Sequence, residues 1–295
     1  MNETEENRPD AKAPSFLLND NPTLQELLLK PTTRDNAILN DQKIRRLYVQ
    51  AASQQWFAPQ RIDFTAPLGL TDEQRQVWIR LAGVFYTLEK MGLNVIMGMM
   101  GRAVRKFRSD ELAYYLTEQA HDEGRHVFVI ENYLKRLGAP PKFDRSLQIL
   151  GQVTHTGFYQ VENWLFSTLF SENFASSFLR RTRMATIDPI GAEMCKQLLV
   201  DESRHIHFLH IVLPDILDRL SLMGKTYLRA SQGFMMHFTE RVSRGLKDDA
   251  ALVGIDRDAL LEEVFENMEK SYHTLGLNPR FIPFAKIRNS SAIVH

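Results

Sequence analysis

The sequence predicts an all-α protein: a four-helix bundle core with additional N- and C-terminal helices. Three observations predict it. Long apolar-periodic stretches fill most of the chain, each bounded by helix start and stop signals. Alternating β-type runs and paired turn dipeptides are scarce. One five-residue string also occurs twice, as Asp122-Glu123-Gly124-Arg125-His126 and Asp201-Glu202-Ser203-Arg204-His205, with only the middle residue changed. Each copy is a Glu-x-x-His, which on a helix sets a carboxylate and an imidazole one turn apart on the same face.

In chain order, residues 1–15 read as a disordered tail, charged and interrupted by Pro9 and Pro14. Residues 16–295 read as one helical domain with its core bundle at about 71–222. Short helical pieces at Thr23–Leu29 and Asp41–Ser53, then Trp56-Phe57-Ala58-Pro59, read as an arm packed on the main body. Thr71 with Gln74 three residues on is a capping box that opens a helix from Asp72 to about Gly101. The next helix starts at Ser109, with Asp110 and Glu111 in the turn where the dipole favours acids, and stops at Gly138 before Pro140-Pro141. A third run covers about Ser146 to Ala185. Asp188-Pro189 is an N-cap with proline at N1, and Pro214 is expected to kink or end the helix it starts. Helices over about Lys225–Leu246 and Asp258–Thr274 follow, closed by Gly276 and Pro279.

Composition narrows the function classes. With 295 residues, 44% of them hydrophobic, the chain can bury a large core. Lys plus Arg and Asp plus Glu stand at 36 each, so no global field draws it to nucleic acid or to an anionic membrane. The one cysteine, Cys195, rules out an intramolecular disulfide and a thiolate cluster, and fits a cytoplasmic setting. No apolar run reaches the roughly 18 residues of a membrane span, and the stretch Met91–Met100 reads as core. Dinucleotide, P-loop and serine-nucleophile motifs are missing from the sequence.

The doubled motif carries the chemistry. Two Glu-x-x-His pairs on facing helices, with a lone Glu from each of two others, form the ligand set of a di-iron carboxylate bundle. Glu123, His126, Glu202 and His205 supply the pairs. Glu89 is the only acid between Glu73 and Asp110 and lies in an apolar stretch, where an unpaired carboxylate is costly. The last carboxylate is Glu172 or Glu162. Glu202 lies thirteen residues past Pro189, about 20 Å along its helix. Counting as far forward from Glu172 reaches Ala185 and leaves a short turn, which favours Glu172; the stronger apolar surroundings of Glu162 keep it as the alternative. Asp122 and Asp201 are placed to accept from His205 and His126 across the bundle, with Arg125 and Arg204 holding them ionised. The bland reading of these charges is a set of solvated surface ion pairs, and for His121, His155, His207, His210 and His237 it is core or surface roles. Met91, Met97, Met99 and Met100 read as core filling that could also line a pocket over the metals. Ser176, one turn after Glu172, could offer a hydroxyl there.

At these residues, from about Trp56 to Leu222, the chain resembles the ferritin-like di-iron carboxylate superfamily. The doubled motif is similar to that of bacterial multicomponent monooxygenase hydroxylases. Trp56–Asp63 and Leu70–Arg75 are similar to the entry into ribonucleotide reductase small subunits and the related ligand-binding oxidases. Where the reductase subunits carry a radical tyrosine this sequence has Ile130. Where the ligand-binding oxidases form a Val–Tyr cross-link it has Met91 and either Gly157 or Ser167. Chain size and the Glu172–Glu202 spacing look most like the p-aminobenzoate N-oxygenase family, whose extra histidine ligand falls on Leu198 here.

The resemblance implies a non-haem di-iron oxygenase or oxidase holding two iron ions, or one manganese and one iron. It would activate O2 to oxidise a small organic substrate by hydroxylation, N-oxygenation or desaturation, in an apolar pocket over the metals. An external electron donor protein and a cytoplasmic homodimer are expected, with no nucleic acid and no membrane as partner. The alternatives are a ferroxidase or iron-handling protein without an organic substrate, a radical-generating subunit, and a purely structural bundle with Glu89 exposed.

Overall fold

A computed structural model describes residues 29–30, 38–142, 160–185 and 188–277. Its elements are α1 (Asp41–Ser53), α2 (Ala58–Arg61), α3 (Asp72–Phe107), α4 (Asp110–Arg136), α5 (Val161–Ala185), α6 (Pro189–Asp218), α7 (Leu222–Ser243), a 3-10 turn at Arg244–Leu246, α8 (Lys247–Leu252) and α9 (Arg257–Thr274). Among the described residues there is no strand and no helix long and apolar enough to cross a membrane. The expected tail at 1–15 and the helical piece before Leu29 lie outside the described residues.

The caps form as the side chains dictate. Gln74 N–H donates to Thr71 Oγ1 at 3.2 Å while Thr71 N–H donates to Gln74 Oε1 at 3.1 Å, closing the box that starts α3. Ser109 Oγ takes Leu112 N–H at 3.0 Å, and Asp188 takes the N–H groups of Ile190 and Gly191 at 3.1 and 3.3 Å. One end differs from expectation, and at Pro214 one of two alternatives falls away. Helix α3 runs past Gly101 to Phe107, because buried Ala103 and Phe107 reward continuation by more than the ~1 kcal/mol a helical glycine costs. Helix α6 passes through Pro214 to Asp218, its last turn held by buried Val212, Leu213, Ile216 and Leu217. The third helix is described from Val161, and the rest of its expected span lies outside the described residues.

α3, α4, α5 and α6 make the core, and its apolar contacts fall into two clusters. One takes Val77–Tyr86 of α3, Val129–Leu137 at the end of α4, Ala175 and Leu179 of α5, and Ile190–Leu198 of α6. The other takes Met91–Phe107, Leu112–Leu116, Val161–Phe170 and Phe208–Leu217. Each helix therefore crosses from one cluster to the other. α3 and α6 run one way, α4 and α5 the opposite way, and the residues between the clusters occupy one layer across the bundle.

The outer elements seal this frame. α1 docks on α4 through Arg45, whose Nε and Nη2 reach Glu111 at 2.9 and 2.6 Å, and through Ser109 Oγ donating to Asp41 at 2.5 Å. α7 lies on α5, where buried Gln232 donates to the Phe166 carbonyl at 2.7 Å. α9 packs on α5 through the edge-on Phe166–Tyr272 pair and the Arg181–Glu263 ion pair at 2.7 Å. Because Thr71 is exposed and its role is confined to the cap, Thr71→Ala should lower the stability of the metal-free protein by about 1 kcal/mol. That corresponds to about 2–4 °C in a thermal unfolding scan.

Candidate metal centre

The layer between the two apolar clusters contains the residues singled out in the sequence. α3 brings Glu89, α4 Glu123 and His126, α5 Glu172, and α6 Glu202 and His205, and all six are buried. They form two triads, Glu89–His126–Glu202 and Glu123–Glu172–His205, in each of which one ligand atom per residue lies within 4.8 Å of the others. Each triad crosses the repeat: a histidine from one copy of the motif meets a carboxylate from the other or from a lone position. Glu162 stands apart, pairing with Lys106 at 2.5 Å.

Histidine orientation follows from the aspartates. His126 turns Nε2 to Asp201 Oδ2 at 3.2 Å, and His205 turns Nε2 to Asp122 Oδ2 at 3.4 Å. Nε2 is thereby turned to the aspartate, and Nδ1 is the ring nitrogen that faces the acids and is free to ligate a metal once it has lost its proton. His126 Nδ1 is 3.2 Å from Glu89 and 3.4 Å from Glu202. His205 Nδ1 is 3.3 Å from Glu202, 3.5 Å from Glu172 and 3.7 Å from Glu123.

Behind the histidines, Arg204 Nη2 bridges Asp122 at 2.9 Å and Asp201 at 2.6 Å, and Arg125 Nη2 reaches Asp201 at 2.8 Å and also binds Asp122. The four charges are buried, not solvated surface pairs. Burial raises the carboxyl pKa of Asp122 and Asp201, but the imidazole bonds and the guanidinium charges outweigh it and hold both far below the usual carboxylate range. The segment after α1 supplies partners the sequence did not suggest. Trp56 Nε1–H donates to Asp201 Oδ2 at 3.0 Å with its ring against Arg125, Gln55 donates to Asp122 at 3.0 Å and accepts from Arg125, and Gln54 accepts from Arg204 at 3.3 Å. Another neighbour, Gln119, donates to Glu172 at 3.1 Å.

Without a cation the inner acids are strained electrostatically. Burial, then the Glu172 charge, pushes Glu202 up to about 8, and burial with the Glu89 charge raises Glu123 well above the ordinary range. Burial alone would lower both histidines, yet the surrounding carboxylates carry them well above their usual value. His205 Nδ1 and Glu202 Oε2 are buried without a hydrogen-bond partner. With all six carboxylates ionised and both imidazoles neutral, the state metal binding requires, two guanidinium groups leave an excess of four negative charges that two divalent cations would cancel. Oxygen and imidazole donors of this kind suit iron or manganese.

The remaining candidates fall outside the triads. His121, His207 and His237 are exposed and His210 is half-buried, while His155 lies outside the described residues. Ser176 is buried on α5, and Ile130 and Leu198 are apolar core. Over Glu89, Glu123 and Glu172 lies a cavity of about 200 Å³, walled by Phe85, Trp164 and Phe174 and roofed by Met235 and Phe238 of α7. Of the methionine run only Met91 lines it; Met99 is core and Met97 is 57% exposed on the opposite side of α3.

This fold and the buried carboxylate–histidine layer define a ferritin-like helical protein. The model of the p-aminobenzoate N-oxygenase AurF family matches residues 69–273, and the chain belongs to that family of oxidoreductases. An aldehyde deformylating oxidase from Synechococcus superposes with a TM-score of 0.56 at 18% identity, over 79% of this chain and 100% of the other. An R2-like ligand-binding oxidase variant with an aerobically reconstituted Mn/Fe cofactor gives 0.61 at 19%, over 78% and 96%, and another with an Fe/Fe cofactor gives 0.55 at 18%, over 78% and 92%. These likenesses show the fold. No curated protein matches the sequence.

Gly92 is where this layer leaves no room. A Cβ there would stand 3.1 Å from Glu123 Oε2. Gly92→Ala should displace the Glu123 carboxylate and weaken metal uptake, although alanine favours the helix by up to about 1 kcal/mol. The expected signature is lower metal content by elemental analysis with an unchanged or raised melting temperature of the metal-free protein.

Proposed function

We propose that this protein is a two-metal oxygenase or oxidase that uses O2 to oxidise a small organic substrate held in the cavity above Glu89, Glu123 and Glu172. The observation that carries the reading is the pair of mirrored triads directly beneath an apolar cavity. Glu89, His126 and Glu202 would hold one metal and Glu123, Glu172 and His205 the other, as an Fe/Fe or Mn/Fe pair. Such a pair supplies reductive activation of dioxygen when bound.

The chain's own residues do the rest. Asp122 and Asp201 keep the imidazoles oriented with Nδ1 toward the acids, and Arg125 and Arg204 keep the aspartates anionic. Phe85, Trp164 and Phe174 give the reacting side an apolar wall, which would limit the futile reaction of a strong oxidant with polar groups. Hydroxylation, N-oxygenation and desaturation all fit this arrangement, and the electrons would come from an external donor protein. A ferroxidase has no use for an apolar cavity of this size over the acids, which favours the organic substrate.

Metal analysis after anaerobic loading should give about two ions per chain, with Glu202→Ala and Glu172→Gln losing metal and Glu162→Gln keeping it. A stoichiometry near zero in the parent protein would overturn the reading. Oxygen consumption that rises with an added organic substrate then separates oxygenase from ferroxidase.

Metal uptake should also release protons. Glu202 sits at about 8 in the metal-free layer, so at neutral pH its proton must leave before it can ligate. Apparent affinity should fall by roughly tenfold for each pH unit below about 8, per proton displaced. Metal titrations at several pH values check this; affinity independent of pH would contradict it.

A further inference from the structure

The cavity over the acids has a neighbour. A second cavity of about 60 Å³ adjoins it, and Val84, Phe85, Leu88, Phe174, Ser243 and Leu246 line both. Glu89, Glu123 and Glu172 line the first alone, whereas Ile255, Arg257 and Leu260 line the second alone. A molecule that occupies both therefore has one end at the candidate metal layer and the other beside Arg257.

Hydrogen bonding sets the polarity of that second end. Arg257, the first residue of α9, is buried, and its Nε–H donates to Ser243 Oγ at 3.0 Å. Its other nitrogens hold Asp258 at 2.6 Å, the Glu240 carboxylate at 3.3 Å and the Glu240 carbonyl. The guanidinium is thus committed to the protein and acts on a ligand through Ser243. A guanidinium only donates, so the Ser243 oxygen accepts from it and keeps one proton to give. That proton goes to the Glu240 carbonyl at 3.1 Å, which Arg257 Nη2 also serves, so withdrawing it leaves the carbonyl bonded. Toward an occupant of the cavity Ser243 is a donor, and the group it meets has to accept.

Two further observations narrow the group. Among the described residues Ser243 is the one hydroxyl that lines both cavities; Thr168, Ser171 and Thr239 line the first alone. Around it Arg244 holds Glu240 at 2.9 Å and Lys247 holds Asp258 at 3.1 Å. With Arg257, this bonded group sets three cationic side chains against two carboxylates. An anion in an apolar cavity needs such a partner, and a hydrogen bond to an ionised acceptor is the stronger kind.

Resting on the reading of the first cavity as the substrate site, we infer that the substrate lies across both cavities. The bond to be oxidised sits over Glu89, Glu123 and Glu172, and a carboxylate at the opposite end accepts from Ser243. Ser243 is the specificity residue, and Arg257 is the positioning residue that fixes its hydroxyl as a donor and supplies the charge behind it.

Binding without turnover tests this. Iron-loaded protein is titrated calorimetrically under argon, without reductant, with p-aminobenzoate and with 4-methylaniline, which keeps the ring and amine but lacks the carboxylate. The parent protein should bind p-aminobenzoate at least tenfold more tightly. Ser243→Ala and Arg257→Met should each weaken p-aminobenzoate by about tenfold and leave 4-methylaniline within twofold, a split that a general packing defect would not produce. Equal or weaker binding of p-aminobenzoate by the parent overturns the inference, as does an equal loss of both ligands in Ser243→Ala, or no binding of either. Where Arg257→Met fails to fold, the ligand pair on the parent and on Ser243→Ala decides. A protein that loads metal yet shows no preference for the carboxylate defeats this inference alone, whereas one that takes no metal defeats the functional reading beneath it.

Discussion

Burying four glutamates in one plane of a helical bundle is the constraint on which the rest of this structure depends. A lone ionised carboxylate is unstable in an apolar core, and here Glu89, Glu123, Glu172 and Glu202 meet between two hydrophobic clusters. The chain has two ways to bear this: hold protons on the acids, as the raised pKa values of Glu123 and Glu202 show, or hold cations between them. Proton-holding leaves His205 Nδ1 and Glu202 Oε2 unsatisfied. Cations would satisfy both at once, so the same electrostatics that make the layer costly make it a candidate metal site.

The outer ring of charges answers the same problem. Asp122 and Asp201 add two more anions, yet each is matched to Arg125 and Arg204 and to an imidazole nitrogen. The contacts cross from one copy of the motif to the other, so neither half is complete alone. This ties α4 to α6 through polar groups where they approach, while apolar side chains do so on either side. The segment Gln54–Trp56 closes the open side of the ring. An arm that reads in sequence as peripheral packing is thus part of what holds the aspartates and arginines in place.

The sequence and the structure agree where chemistry is local and part company where it is not. The cap at Thr71, the proline at N1 after Asp188 and the i, i+3 pairing within each motif depend on residues a few positions apart, and all are legible. Glu172 could be preferred because helix rise converts sequence distance into length. Gln55 and Trp56 could not be assigned, since their partners Asp122 and Asp201 lie 67 and 145 positions away. Gln119, one turn before Glu123, is indistinguishable by sequence from an exposed helical glutamine. In the methionine run, read as core, helical phase and not composition decides each member's place: Met91 and Met99 are buried and Met97 is turned outward.

Two apolar positions show how one ligand frame is steered toward different chemistry. Ile130 lies on the Glu123–His126 helix where a tyrosine would offer an oxidisable phenol, and Leu198 lies one turn before Glu202 where a histidine would add a ligand; both are fully buried. Neither can donate an electron or a lone pair. The Ile130 and Leu198 side is closed by apolar packing, and the layer opens instead on the cavity lined by Glu89, Glu123 and Glu172. The walls above that face are aromatic and aliphatic side chains. Gln119 stands at the junction of layer and cavity, lining the cavity while its amide nitrogen donates to Glu172.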